Sequence, residues 1–435
     1  MIRRLFAVVL LTPLSLGAQG VASGGARPVS LEEAVKLAQR NAPQTIAARG
    51  QIRSSDAAAR TVLGTYIPSL NMSFGGNYQK GTNFVPTGGT GRIDTPWNFS
   101  RSLTSNLEIF DGGRRWFNLQ SARANQSTAE ANERLQLFQV ALDVKQQYFN
   151  VLAARESRAA ALSQLAQAQE QLKASTARVA AGAATVSDSL RSLIQVGNAR
   201  LAVLTTENSL RVSNANLTRI VGTPFEVTAE EGAELPVPAA TLDSASLAPF
   251  VDAAPSVVTA RSQVNAALAA ERSSRTSYLP TFSVGATYGG NRSDVAFAPN
   301  GGEYRSQKSA RLTLSYPLFN GLQREENVVR ARINEDNARA QLRDAQLAVQ
   351  QQLTQFLGAL RLAQERATIQ VASVAAAEED LRVQSQRYAL GSSTLLDILT
   401  SQSQLNSARF ALIQARYDAR LAKAQIEAIV GRDLP

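Results

Sequence analysis

Chemistry has few tools in this chain. Neither His nor Cys occurs among its 435 residues, which removes imidazole bases, thiolate nucleophiles, disulfides and the usual zinc ligands together. Carboxylates remain, and two of them stand in the same setting. Arg178–Leu190 reads RVAAGAATVSDSL and Arg387–Leu399 reads RYALGSSTLLDIL, so Gly182 and Asp188 recur 209 residues later as Gly391 and Asp397. Each stretch interrupts a helical pattern with a glycine, then hydroxyls, then one aspartate. Thr185 with Asp188, and Thr394 with Asp397, have the spacing of a capping box, in which the threonine starts a helix and the carboxylate answers its backbone N–H. Gly182 and Gly391 suit the left-handed residue that ends the preceding helix. Capping is enough to account for both aspartates, so a functional role needs a reason beyond their own helices.

An enzyme would need a convergent set of polar residues off the helical pattern, and the sequence shows none. No catalytic residue, metal ligand or cofactor is expected. The formal charge of +10 comes from arginines spread among glutamines and acids. Runs of Lys and Arg interleaved with aromatics are missing, so nucleic acid is not an expected partner. Residues 1–23 have Arg3 and Arg4, an apolar stretch from Leu5 to Leu16 and small residues from Ala18 to Ser23. They read as a cleaved secretory signal peptide, the apolar run being shorter than the roughly 20 residues that span a bilayer.

The whole chain is built twice. NAPQTIAARGQIRSSDAAARTVLGTYIPSL from Asn41 matches AAPSVVTARSQVNAALAAERSSRTSYLPTF from Ala253, with Pro43 and Pro68 recurring 212 residues on as Pro255 and Pro280. Beyond Phe110, which matches Phe319, the offset is 209, so the first half carries three extra residues in a loop between Pro68 and Phe110. The first repeat spans 24–222, an acidic proline-bearing linker follows at 223–246, and the second repeat spans 247–435.

Each repeat reads as helix, two strands, long helix, break, helix. Leu31 to Thr65 is helical. Leu70, Met72, Phe74 and Tyr78 then alternate with polar residues in a strand over 68–79; a Gly-, Thr- and Pro-rich loop and a second strand over 100–110 follow. The second repeat places strands at 280–290 and 308–318. The period then changes to that of a coiled-coil seam: Leu137, Ala141, Val144, Tyr148 and Val151, and in the second half Val349, Leu353, Phe356, Leu360 and Ala363. Gly113–Arg178 and Leu322–Arg387 are free of proline and, at about 66 residues, each reaches roughly 100 Å. With the shorter helices stacked end to end, each chain makes four helical columns.

Strands of roughly ten residues have the length that crosses a membrane when tilted. Four of them leave two open edges, whose unpaired N–H and C=O groups cost several kcal/mol each in hydrocarbon, so other copies must close the sheet. Three copies make twelve strands; two or four also close.

The paired YIPSL and YLPTF junctions, the returns to helix at Phe110-Asp-Gly-Gly and Phe319-Asn-Gly-Leu, and the two R-x-x-x-G-x-x-x-x-x-D-x-L breaks occur in duplicate and in order from Ser30 to Leu434. In this the chain resembles the TolC-type outer-membrane efflux proteins. The resemblance implies a mixed α and β membrane protein: a homotrimer with a twelve-stranded β-barrel in the outer-membrane lipid and an α-helical coiled-coil barrel in the periplasm. It implies passive conduction of efflux or type I secretion substrates. They would be delivered by an inner-membrane pump of RND, ABC or MFS type through a periplasmic adaptor, a membrane fusion protein. It also places the two breaks at the periplasmic tip, where Asp397 recurs by threefold symmetry as a charged ring. Gate positions are Asp397, Thr400, Tyr388, Asp188 and Ser393. Thr400 stands where relatives commonly carry a second acid, Ser393 where a relative can carry Arg, and Tyr388 and Asp188 have the types for a polar link between helices. The turns Val179–Asp188 and Tyr388–Asp397 match the adaptor-docking motif, with Val179, Gly182, Ala183 and Asp188 in one and Leu390, Gly391, Ser392 and Asp397 in the other. Trp97 and Phe99 at one end of the strands, and Tyr66, Phe110 and Tyr278 at the other, suit aromatic girdles. The competing reading is a secreted or periplasmic coiled-coil scaffold without a pore, against which the alternating strands speak.

Overall fold

The computed structural model describes residues 26–80, 82–85, 89–92, 96–230 and 248–434. The expected leader at 1–23 and the larger part of the expected linker lie outside them. A short strand, β1 (Arg27–Val29), leads into α1 (Leu31–Asn41), which Ser30 starts by accepting from the Glu33 N–H at 3.2 Å. Glu32 and Glu33 sit in the first turn, at the positive end of the helix dipole. The single helix expected from Leu31 to Thr65 is broken at Ala42, which is extended (φ −61°, ψ 131°), before α2 (Pro43–Gly64) begins. Pro43 is the cause: it lacks an N–H for the helix ladder and pushes the preceding residue out of helical conformation.

After α2 come β2 (Ser69–Tyr78), a small hairpin of β3 (Thr82–Val85) and β4 (Gly89–Arg92), and β5 (Trp97–Phe110). The hairpin lies in the segment read from the sequence as loop. The helices α3 (Arg114–Ala180) and α4 (Val186–Val221) follow, and β6 (Val227–Ala229) pairs in parallel with β1. Next come α5 (Pro255–Arg275), β7 (Thr281–Asp294), β8 (Arg305–Ser315), α6 (Gln323–Ala389) and α7 (Leu395–Val430). At 67 residues each, α3 and α6 run roughly 100 Å.

The strands form one antiparallel sheet in the order β2-β5-β7-β8. Four strand bounds differ from expectation by three residues or more. β5 begins at Trp97 rather than 100 and β7 runs to Asp294 rather than 290, because the two extend each other up to the Trp97–Asp294 rung. β8 begins at Arg305 rather than 308, because the lengthened β7 offers Asn291 as its partner. It ends at Ser315 rather than 318, since Pro317 has no N–H to offer a ladder. The register puts Leu70, Met72 and Phe74 on the same face as Leu103, Leu107, Val284, Tyr288, Leu312 and Leu314. Asn71, Ser73, Ser102, Thr104, Asn106, Thr287 and Ser309 share the other face. The apolar face is bare: Met72, Phe74, Leu312 and Leu314 are each 70–71% exposed. At the far end Trp97 packs on Tyr78, Phe99 and Phe297 with ring centroids 4.8–5.9 Å apart.

Below the sheet, α3 is the central helix and packs against α1, α2, α4, α5 and α7, while α6 packs against α5 and α7. Val140, Val144, Tyr148 and Val151 are buried with Leu217 and Val221 of α4 and Val29 and Val227 of the small parallel pair. Relative to the expected seam, Val140 is fully buried where Leu137 and Ala141 are half-buried. Likewise Leu357 is buried in α6 where Phe356 is half-buried. The Tyr148 hydroxyl donates to the Val29 carbonyl at 3.2 Å and accepts the Glu230 N–H at 3.3 Å, tying the start of the described chain to its middle. Burial raises the Tyr148 pKa, so the hydroxyl stays neutral and able to donate.

Two arginines join sheet to helices at equivalent positions. Arg115 lies 4.7 Å from the Tyr66 ring and donates to the Ile109 carbonyl at 3.1 Å; Arg324 lies 5.0 Å from the Tyr278 ring and donates to the Leu318 carbonyl at 3.3 Å. The turns before the long helices need left-handed residues. The first uses Gly112 and Gly113, with φ of 68° and 87°; the second uses Gly321 and Leu322, with φ of 67° and 64°. Leu322 is therefore strained where Gly113 is not. Leu322→Gly is expected to raise stability by about 0.5–1 kcal/mol, the relief of left-handed strain less the entropy of a freer unfolded chain. Denaturant unfolding in detergent checks it.

Candidate functional site at the helical hairpin tips

The two breaks are tight turns between long antiparallel helices. At the first, the Ala183 N–H donates to the Arg178 carbonyl at 2.8 Å and the Gly182 N–H to Val179 at 3.0 Å. At the second, the Ser392 N–H donates to Arg387 at 2.9 Å and the Gly391 N–H to Tyr388 at 3.1 Å. Both glycines are left-handed, φ 71° and 75°, and nothing lies within 4 Å of a Cβ added to either. Glycine is therefore required by backbone conformation and not by crowding, and the tips stand open.

Each turn then starts a helix with its threonine and aspartate. The Thr394 N–H and hydroxyl both donate to the Asp397 carboxylate at 2.8 Å, and the Asp397 N–H donates back to the Thr394 hydroxyl at 3.3 Å. Asp188 accepts from the Thr185 N–H at 3.2 Å and its hydroxyl at 2.9 Å. These bonds favour the charged form of Asp397: the Thr394 N–H, then its hydroxyl, hold the carboxyl below its usual range, with Arg387 adding a smaller pull.

The expected docking residues Val179, Gly182, Ala183 and Asp188 lie together on one turn, and Leu390, Gly391, Ser392 and Asp397 on the other. Leu390 is 84% exposed, and Val186 and Leu396 beside the turns are also exposed. Among the expected gate residues, Thr400 returns its hydroxyl to the Leu396 carbonyl at 2.9 Å and so serves its own helix. Ser393 makes a long contact, 3.5 Å, to the Gln384 carbonyl. Within one chain Tyr388 and Asp188 are not bonded to each other: Thr185 holds Asp188, and Arg178 holds the Tyr388 ring and carbonyl.

Arg178 is the residue that sequence reasoning passed over. Its guanidinium sits 4.3 Å from the centroid of the Tyr388 ring and donates to the Tyr388 carbonyl at 3.2 Å, bridging the two hairpins. The available signal was its place as the first residue of the repeated R-x-x-x-G break. Elsewhere on the hairpins the Asp380 carboxylate accepts from the Ser401 hydroxyl and Arg409 pairs with Glu378 at 2.7 Å.

Two outcomes follow from this geometry. Arg178→Ala removes a cation–π contact and a charged hydrogen bond, and is expected to loosen the tips by about 1–2 kcal/mol; faster amide exchange at residues 386–392 reads it. The folded Asp397 carboxyl has a lowered pKa, so its capping contribution is full above the ordinary carboxylate value near ~4 and is lost as pH falls through the folded value. Exchange protection of the first turn of α7, corrected for intrinsic rate, is expected to drop below about pH 4 in the native chain. It should show no such step in Asp397→Asn.

The family model described as Outer membrane efflux protein matches residues 34–223 and 251–432. The chain is 25% identical over 445 residues to the outer membrane protein TolC of Vibrio cholerae, covering 97% of this chain and 95% of that protein. It is 24% identical over 411 residues to the outer membrane efflux protein BepC of Brucella suis, covering 92% and 84%. Its fold is that of the outer membrane protein VceC of Vibrio cholerae, with a TM-score of 0.75 at 16% identity over 93% of this chain and 97% of the other. The duplicated helix–sheet plan and these matches together make the chain a member of the outer membrane efflux protein family, located in the outer membrane with its helical part in the periplasm.

Proposed function

We propose that three copies of this chain form a passive exit duct, a twelve-stranded barrel continued by a helical barrel, through which a pump's substrates leave the cell. The observation that carries the reading is that the chain's two flanks are unfinished in matching ways. Both edge strands of the four-stranded sheet, β2 and β8, are exposed along their whole length. The strands alternate in direction, so β8 of one copy runs antiparallel to β2 of the next. Closing the ring pairs every backbone group that would otherwise face hydrocarbon unpaired.

The helices support the same closure. Their contacts order four columns: α2 over α4, then α3, then α5 over α7, then α6. The outer two columns each keep an apolar stripe with nothing on it. On α4 it is Leu190, Ile194, Leu201, Leu204 and Val212; on α6 it is Leu347, Leu362 and Ile369, all more than half exposed. The helices run in opposite directions from the tips, so Val212 of one copy comes level with Leu362 of the next, and Leu204 close to Ile369. The spacing of threes and fours is that of a coiled-coil seam. A pore-less scaffold would have no use for a sheet with a bare apolar face.

In this reading Asp397 and Asp188 form carboxylate rings at the narrow periplasmic end, and the exposed tips dock a periplasmic adaptor that couples the duct to an inner-membrane pump. Likeness to the family supports three copies over two or four. The chain itself conducts passively, with the pump supplying the energy.

Leu201→Asp with Leu204→Asp puts two carboxylates into the seam between copies and is expected to lower the trimer fraction in detergent extracts at least about tenfold. Cross-linking and membrane fractionation measure it. Recovery of the native chain from the soluble periplasm as a monomer would overturn the duct.

A further inference from the structure

The unpaired charge on the sheet's polar face is positive. Arg305 and Arg311 of β8 lie opposite Asn291 and Gly285 of β7, on the face shared by Asn71, Ser73, Thr104 and Thr287. Both are exposed, and neither side chain has a hydrogen bond, ion pair or ring contact among the described residues. Gly285 leaves the position beside Arg311 without a side chain. On that face of the four strands the described carboxylate is Glu108, and Arg114 neutralises it at 2.9 Å. The neighbouring cation on β8, Lys308, falls on the apolar face, where it lies 5.7 Å from the Tyr288 ring. The placement of the two arginines therefore follows from the register and is not a general cationic bias of the strand.

We infer that Arg305 and Arg311 make the barrel's interior an anion-selective passage, favouring solutes that carry carboxylate, phosphate or sulfate groups. The inference rests on the duct reading, which turns the polar face inward. Three copies then place six guanidinium groups in two tiers, separated by roughly 20 Å along the strand at ~3.4 Å per residue. Apart from the Glu108–Arg114 pair, the remaining wall of the strands is Ser, Thr, Asn, Gln and Gly, which neither pair with the arginines nor oppose their field. A narrow passage with low-dielectric walls focuses such a field and raises the local concentration of counter-ions. The carboxylate rings at the tips lie about 100 Å away, the length of α3, many times the ~8 Å over which salt screens a charge. The two ends of the duct therefore select independently: the tips by carboxylates, the barrel by guanidinium groups.

Inward charge on an edge strand could also serve only to prevent wrong pairing of free edges. That alternative predicts altered assembly and unaltered selectivity, which separates it from the inference. The experiment uses the full chain in neutral phosphatidylcholine bilayers under a KCl gradient, with the tips neutralised by Asp188→Asn and Asp397→Asn. Chloride is expected to pass more readily than potassium. Adding Arg305→Gln and Arg311→Gln is expected to lower the chloride-to-potassium permeability ratio at least about twofold in 0.1 M KCl, and less in 1 M, where screening shortens from ~10 to ~3 Å. Arg305→Lys with Arg311→Lys keeps the charge and is expected to keep the ratio. An unchanged ratio in conducting Gln variants overturns the inference. If those variants fail to assemble, a preference for potassium in the tip-neutralised parent overturns it equally. Trimers of the native chain that conduct nothing would refute the duct itself.

Discussion

A sheet edge in hydrocarbon has nowhere to send its hydrogen bonds. Each unpaired N–H or C=O there costs several kcal/mol, and this chain presents two such edges, β2 and β8. No rearrangement within four strands can remove them, because a sheet this narrow cannot close on itself with side chains inside. Much of the structure follows from that constraint. The edges face opposite sides of one chain and run antiparallel, the condition for a neighbour to complete the ladder. The helical columns below end in apolar stripes on the same two sides, α4 on one and α6 on the other, so sheet and helices call for the same neighbour.

Joining a sheet to a helical layer is a mechanical problem, and the arginines at the junction address it. Arg115 and Arg324, 209 residues apart, each hold a tyrosine ring from the preceding helix side and a carbonyl, Ile109 at the end of β5 and Leu318 just past β8. Strand, turn and long helix are thereby held at a fixed angle in both halves. The halves are not identical in strain. Asp111 pairs with Arg115 at 3.1 Å and accepts the Gly113 N–H, whereas the second half has Asn320 and a left-handed Leu322 at the equivalent places. The first junction is the more heavily tied of the two.

What could be read from the sequence was whatever has a strong period or a local cause. Leu70, Met72, Phe74 and Tyr78 alternate without interruption, and the strand they announce lies within a residue of its expected ends. Gly182 and Gly391 are left-handed as their positions demand, and the threonine–aspartate boxes form. The break at Ala42 was also written locally, in Pro43, but the apolar period on both sides outweighed it. The β3–β4 hairpin has no comparable pattern, being rich in Gly and Thr. Contacts between distant segments are harder to read: Arg178 on Tyr388 spans 210 residues, and the repeated break marks both residues without pairing them. Nor does period alone choose between Phe356 and Leu357 for the core, since steps of three and of four from Leu353 both keep to a coiled-coil seam.

The account's central claim is that β8 of one copy pairs with β2 of the next. The chain has no cysteine, so introduced ones report without background. One cysteine at Asn71 of β2, combined in turn with cysteines along Arg305–Ser315 of β8, can be oxidised in intact outer membranes. Closure predicts covalent dimers and trimers at one register, with no larger species. Disulfides formed only within single chains, or a ladder continuing past three, would contradict it.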